Sequence, residues 1–88
     1  MFIISLTYTK PTTEADKYLE GHYQYIDKYI AEGKFLLVGR KVPRTGGVII
    51  CNVDTKEELE KIMREDPFVL HEIGVFEITE FVPTRKLI

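Results

Sequence analysis

Residues 47–53 read GVIICNV, a short run that is nearly all apolar. It is too short for a membrane span and too evenly apolar for a half-exposed strand. It fits a strand in the middle of a sheet, covered on both faces. The flanking segments must then supply its neighbours. Immediately upstream, VPRTGG (42–47) is a turn-rich connection, and KFLLVGR (34–40) before it reads as another strand.

FIISLTY (2–8) reads as a strand, because Phe2, Ile4, Leu6 and Tyr8 alternate with Ile3, Ser5 and Thr7. PTT (11–13) ends it. From Thr13 to Ala31 the apolar positions Ala15, Leu19, Ile26 and Ile30, with Tyr18 and Tyr29 beside them, fall at helical spacing. Thr13 and Asp16 resemble a capping box, and Gly33 is a helix terminator. Downstream of GVIICNV, Asp54 and Thr55 open a second helix, with Thr55 and Glu58 as its capping box. Leu59, Ile62 and Met63 form its buried stripe. VFEITEF (75–81) alternates Phe76 and Ile78 against Glu77 and Thr79, the pattern of a fourth strand.

The order β-α-β-β-α-β predicts an α+β, ferredoxin-like fold: a four-stranded antiparallel sheet with two helices on one face. The whole chain, 1–88, fits one domain of about 50–250 residues. The other sheet face keeps apolar side chains with no helix to cover it. A second copy would cover it, so a symmetric homodimer is expected.

Composition narrows the function. The net charge is −2, from twelve basic and fourteen acidic residues spread along the chain. Nucleic-acid binders concentrate basic residues, because phosphate neutralisation drives their affinity. Here the only basic excess is Arg40, Lys41 and Arg44. RNA-binding sheets of this topology also display aromatics on a central strand, and GVIICNV has none. No nucleic-acid partner is expected. MFIISLTYTK lacks the basic flank of a signal peptide, and no segment approaches roughly 20 apolar residues. The expectation is a cytoplasmic protein without a membrane partner. The lone Cys51, inside an apolar run, points to a reducing compartment and a core position.

Two residues stand out chemically. His22 follows Leu19 and precedes Ile26 on the inward side of the first helix, where an imidazole must find a hydrogen-bond partner. It is either a core histidine satisfied by a backbone carbonyl or a proton carrier, since its ordinary pKa lies near 6.5. Asp66 continues the stripe Leu59, Ile62, Met63, and Pro67 disfavours helix in the residue before it. Asp66 is therefore either an N-cap for a new turn or half of a functional pair. Both helices share one sheet face, so the two residues can meet across a crevice. A carboxylate there would fix the tautomer of the imidazole and favour its charged form. Arg44 is either part of a solvated turn or a planar fork for an anionic oxygen. His71 is expected in an exposed loop. The helix tyrosines are packing or dimer contacts, with Tyr18 or Tyr25 in position to line a crevice beside His22. No metal-ligand cluster, phosphate loop or nicotinamide motif is visible, so neither metal nor cofactor is expected.

LEGHYQYI around His22, the strand GKFLLVGR, the turn PRTGG, and DPF followed by EITEF together resemble the YCII (YciI-like) family, over essentially the whole chain. The resemblance implies a dimeric α+β barrel, in which two such sheets pack face to face. It also implies an active site built on His22 and Asp66. Arg44, Phe68 and Tyr18 are expected to contact the substrate there. The chemistry of the group includes dehydrochlorination, lactone isomerisation and cofactor-free oxygenation of small rings. This chain departs from the pattern after DPF: Val69-Leu70-His71-Glu72 stands where a small-residue glycine turn is common. The expected function is cofactor-independent proton transfer, elimination or isomerisation, on a small oxygenated ring or carbonyl compound. The alternative is a non-catalytic dimeric module that binds a metabolite.

Overall fold

A computed structural model describes residues 1–87. The elements run β1 (Phe2–Tyr8), α1 (Thr12–Asp16), α2 (Leu19–Ala31), β2 (Phe35–Arg40), β3 (Gly46–Cys51), α3 (Lys56–Met63), α4 (Pro67–Leu70) and β4 (Gly74–Glu80). The strands form one antiparallel sheet in the order β2-β3-β1-β4. This is the ferredoxin-like arrangement that the element order predicts.

The alternation of β1 decides which face is covered. Phe2 and Ile4 are buried with Ile26, Leu59 and Ile62 of the helices. Leu6 begins a second cluster with Ala15, Phe68 and Ile73. Fully burying side chains of this size contributes about 1.5–3 kcal/mol each. On the opposite face, Ile3 pairs with Ile50 and Ser5 with Val48. Leu37 and Val75 lie there 64% and 60% exposed. A single chain thus covers β3 on one face only, against the expectation of cover on both.

Near one end of the sheet, β3 passes so close to β1 that a methyl group on Gly46 would strike the Leu6 carbonyl oxygen. Only glycine permits that approach. Cys51 is fully buried, and burial pushes its thiol up to about 12. It is a packing residue.

The first helical segment differs from its sequence pattern. It is broken at Lys17–Tyr18, where Tyr18 leaves helical geometry at φ −112°, ψ 6°. The Tyr18 ring stacks on His71, and Ala15 drops into the second cluster. Tertiary packing overrides local period here. The Thr13–Asp16 capping box does not form; Pro11 takes the N-cap position without a side-chain bond. Ile30 is 43% exposed, whereas Tyr25 and Tyr29 are buried beside Ile26. Their rings pack at 5.6 and 5.3 Å on Phe35, so the aromatic payload rather than Ile30 sets the buried edge of α2.

The second helix starts as predicted. Thr55 Oγ1 accepts from the Glu58 N–H at 3.1 Å. The reciprocal half is missing, because Glu58 instead accepts from Lys34 at 2.9 Å.

The segment after DPF closes as a Schellman turn. The Ile73 N–H donates to the Phe68 carbonyl at 3.0 Å, and the Glu72 N–H donates to Val69 at 3.2 Å. Glu72 occupies the left-handed position, φ 51°, where glycine is usual. A non-glycine residue there costs about 1 kcal/mol or more. Glu72→Gly should therefore raise the urea midpoint by the equivalent of about 0.5–1 kcal/mol. An unchanged or lower midpoint would show that the turn is unstrained.

Candidate active site

The site grows from the meeting of α2 with the α3–α4 corner. Gly21 lets that corner come close, since a methyl on it would lie 3.3 Å from Pro67 Cγ. The next residue, His22, then faces Asp66. Its Nδ1 lies 2.8 Å from Asp66 Oδ1. The same oxygen accepts the Phe68 N–H at 2.9 Å, so Asp66 caps α4 and holds the imidazole together. Asp66 is 2% exposed and is the one buried polar or charged residue in the core of the described residues.

An ionised carboxylate only accepts hydrogen bonds. In the neutral imidazole the Nδ1 then carries the proton, and Nε2 keeps its lone pair. Nε2 has no hydrogen-bond partner among the described residues, yet it is not sealed from solvent. The ring plane is fixed from one side by Phe68, stacked at 4.0 Å and 8°. A neighbouring brace holds the corner. Glu65 accepts from the Tyr29 hydroxyl and from Lys28 Nζ at 3.0 Å. The Tyr29 hydroxyl and then the Lys28 ammonium hold the Glu65 carboxyl below its ordinary range.

Beside His22 opens a cleft of about 620 Å³, within the range of small-molecule sites. Leu6 and Tyr8 of β1, Val38, Gly39 and Arg40 of β2, and Gly46–Gly47 form one side. Leu19, His22, Tyr23 and Ile26 of α2, with Phe68, form the other, and Arg44 stands at its rim. A smaller cavity of about 30 Å³ reaches both His22 and Asp66 from within.

The residues named from sequence fall in different places. His22, Phe68 and Arg44 line the cleft, and Asp66 lies behind His22. Arg44 is already engaged: its Nη2 donates to Asp16 Oδ1 at 2.7 Å, and its guanidinium sits 5.8 Å from the Tyr8 ring centre. That bond with Asp16 pushes the guanidinium pKa further up. Tyr18 is not among the lining residues. Its ring instead stacks on the exposed His71 at 3.9 Å. Tyr25 is in the core.

Tyr8, Tyr23 and Arg40 line the cleft without having been picked out as site residues. The signal for Tyr8 and Arg40 was present. Tyr8 continues the inward alternation of β1, and Arg40 follows Val38 by two residues in β2, on the same face. Among the described residues, no three His, Cys, Asp or Glu side chains converge as a metal ion would need. None of the described helices is long and apolar enough to cross a membrane.

The family described as the YCII-related domain matches residues 1–85. The uncharacterized protein YjpA of Bacillus subtilis (strain 168) is 31% identical over 67 residues, 72% of this chain and 79% of that protein. Among solved structures, the 5-chloro-2-hydroxyhydroquinone dehydrochlorinase TftG from Burkholderia phenoliruptrix AC1100, in complex with 2,5-dihydroxybenzoquinone, aligns with a TM-score of 0.73. That alignment covers 93% of this chain and 94% of TftG at 17% identity, so what is shared is the fold.

Proposed function

The chain belongs to the YCII-related domain family, and on that premise we propose that it is a small cytoplasmic enzyme for cofactor-independent proton transfer. Its substrate is a small oxygenated ring or carbonyl compound. One observation carries the reading: a carboxylate fixes His22 Nδ1 at 2.8 Å, and the same residue, its Nε2 unpartnered and not sealed from solvent, lines a cleft of ligand size.

Nε2 takes a proton from an acidified C–H bond of the substrate. The electron pair of that bond forms a new double bond. In elimination, a leaving group departs with its own pair and the imidazolium releases the abstracted proton to solvent; in isomerisation, the imidazolium returns the proton to a different atom. Asp66 stabilises the imidazolium formed between these steps, and Phe68 keeps the ring in plane for both. The dehydrochlorinase of like fold, with its quinone ligand, supports this class of chemistry.

The test is proton exchange. A panel of small enolisable ring ketones in D₂O, followed by proton NMR, should include one whose ring C–H exchanges faster with the protein than without it. Exchange no faster than in buffer across the panel would refute the reading.

The uncovered sheet face supports a homodimer, with two sheets packed through Ile3, Leu37, Val48, Ile50 and Val75. Five apolar side chains on one open face favour burial against an identical face. Sedimentation equilibrium should give twice 10.2 kDa. A stable monomer at micromolar concentration would contradict it.

A further inference from the structure

We propose that Arg40 is the residue that recognises substrate in this cleft, and that the substrate presents an anionic oxygen on a planar ring. The inference rests on the cleft being a substrate site; it adds the charge of the substrate and the residue that reads it.

Three observations converge. First, the cleft is lined by two arginines, Arg40 and Arg44, and by no aspartate or glutamate, in a chain whose net charge is −2. A concave surface of one charge sign concentrates ligands of the opposite sign. Second, the two arginines are not equivalent. Arg44 is tied to Asp16 at 2.7 Å, whereas Arg40 makes no salt bridge and no side-chain hydrogen bond among the described residues. Arg40 is therefore the guanidinium left to bind an incoming oxygen. Its planar fork matches a carboxylate or a delocalised enolate.

Third, the register makes room beside it. Arg40 pairs with Gly47, which in turn pairs with Leu6 on the helix-covered face. Gly47 projects no side chain over Arg40, and both residues line the cleft. The aromatic side chains in the lining, Tyr8, Tyr23, His22 and Phe68, favour a planar ligand over a compact inorganic anion.

Isothermal titration calorimetry tests this on the full chain. The probes are benzoate and 2,5-dihydroxybenzoquinone, against their neutral counterparts benzamide and 2,5-dimethoxybenzoquinone. Wild-type protein should bind at least one anion about tenfold more tightly than its neutral counterpart. Whichever anion is preferred tells whether a carboxylate or an enolate is the natural group. Arg40→Gln should erase that preference, and Arg40→Lys should keep part of it, with circular dichroism unchanged in both. Arg44→Gln should lose less than Arg40→Gln. No anion preference in the wild type, retention of the preference in Arg40→Gln, or its loss through Arg44 instead would overturn the assignment. The measurement reads binding alone. A protein that prefers anions through Arg40 but exchanges no protons upholds this inference and refutes the catalytic reading. Proton exchange without any anion preference does the reverse.

Discussion

His22→Ala should lose about 10²–10⁴-fold in the rate of substrate proton exchange, the usual contribution of a positioned acid–base group. The fold should survive. The imidazole side chain is 13% exposed and stands at the wall of a cleft, so its removal enlarges an open space instead of emptying the core. The partner left behind is the sensitive point. Asp66 Oδ1 loses one donor but keeps the Phe68 N–H at 2.9 Å, which limits the cost. Thermal unfolding should therefore remain cooperative, with a modest fall in midpoint. Unfolding of His22→Ala, or retention of full exchange activity, would leave His22 as a packing residue.

Asp66→Ala should do more damage to stability. It removes the N-cap of α4, worth about 1 kcal/mol, together with a charge-assisted bond worth about 1.5–3 kcal/mol. Together these predict a loss of about 2.5–4 kcal/mol by urea denaturation, a large share of the stability of a small domain. Asp66→Asn separates the two duties. Its amide oxygen can still accept from both Phe68 N–H and His22 Nδ1–H, so most of the stability returns. Its neutral charge no longer favours the imidazolium, so proton exchange should remain slower than wild type by roughly tenfold. Full activity in Asp66→Asn would mean that the carboxylate serves as a cap alone.

Much of this architecture was legible in the residues. The apolar run at 47–53 and the alternation of Phe2, Ile4 and Leu6 carry the sheet, because strand period and burial are properties of single positions. Pro67 after Asp66 announces the helix stop for the same reason. The meeting of His22 with Asp66 could be anticipated from two inward stripes on one sheet face, though their 2.8 Å contact depends on Gly21 and Pro67 fitting together. Other features needed tertiary detail. The break at Tyr18 follows from a ring stacking on His71, fifty-three positions away, which no local period encodes. Tyr25 and Tyr29 displace Ile30 from the core because Phe35 offers them an aromatic partner. The contrast between Arg40 and Arg44 depends on where Asp16 lies, and the break between α1 and α2 sets that position.

The proposed chemistry depends on one hydrogen-bond direction: Nδ1–H of His22 donating to Asp66 Oδ1, which leaves Nε2 with its lone pair. Long-range ¹H–¹⁵N NMR of the histidine ring at a pH where it is neutral reads this directly. A protonated Nδ1 and an unprotonated Nε2 are expected for His22. A spectrum with the proton on Nε2 and a bare Nδ1 would contradict that chemistry.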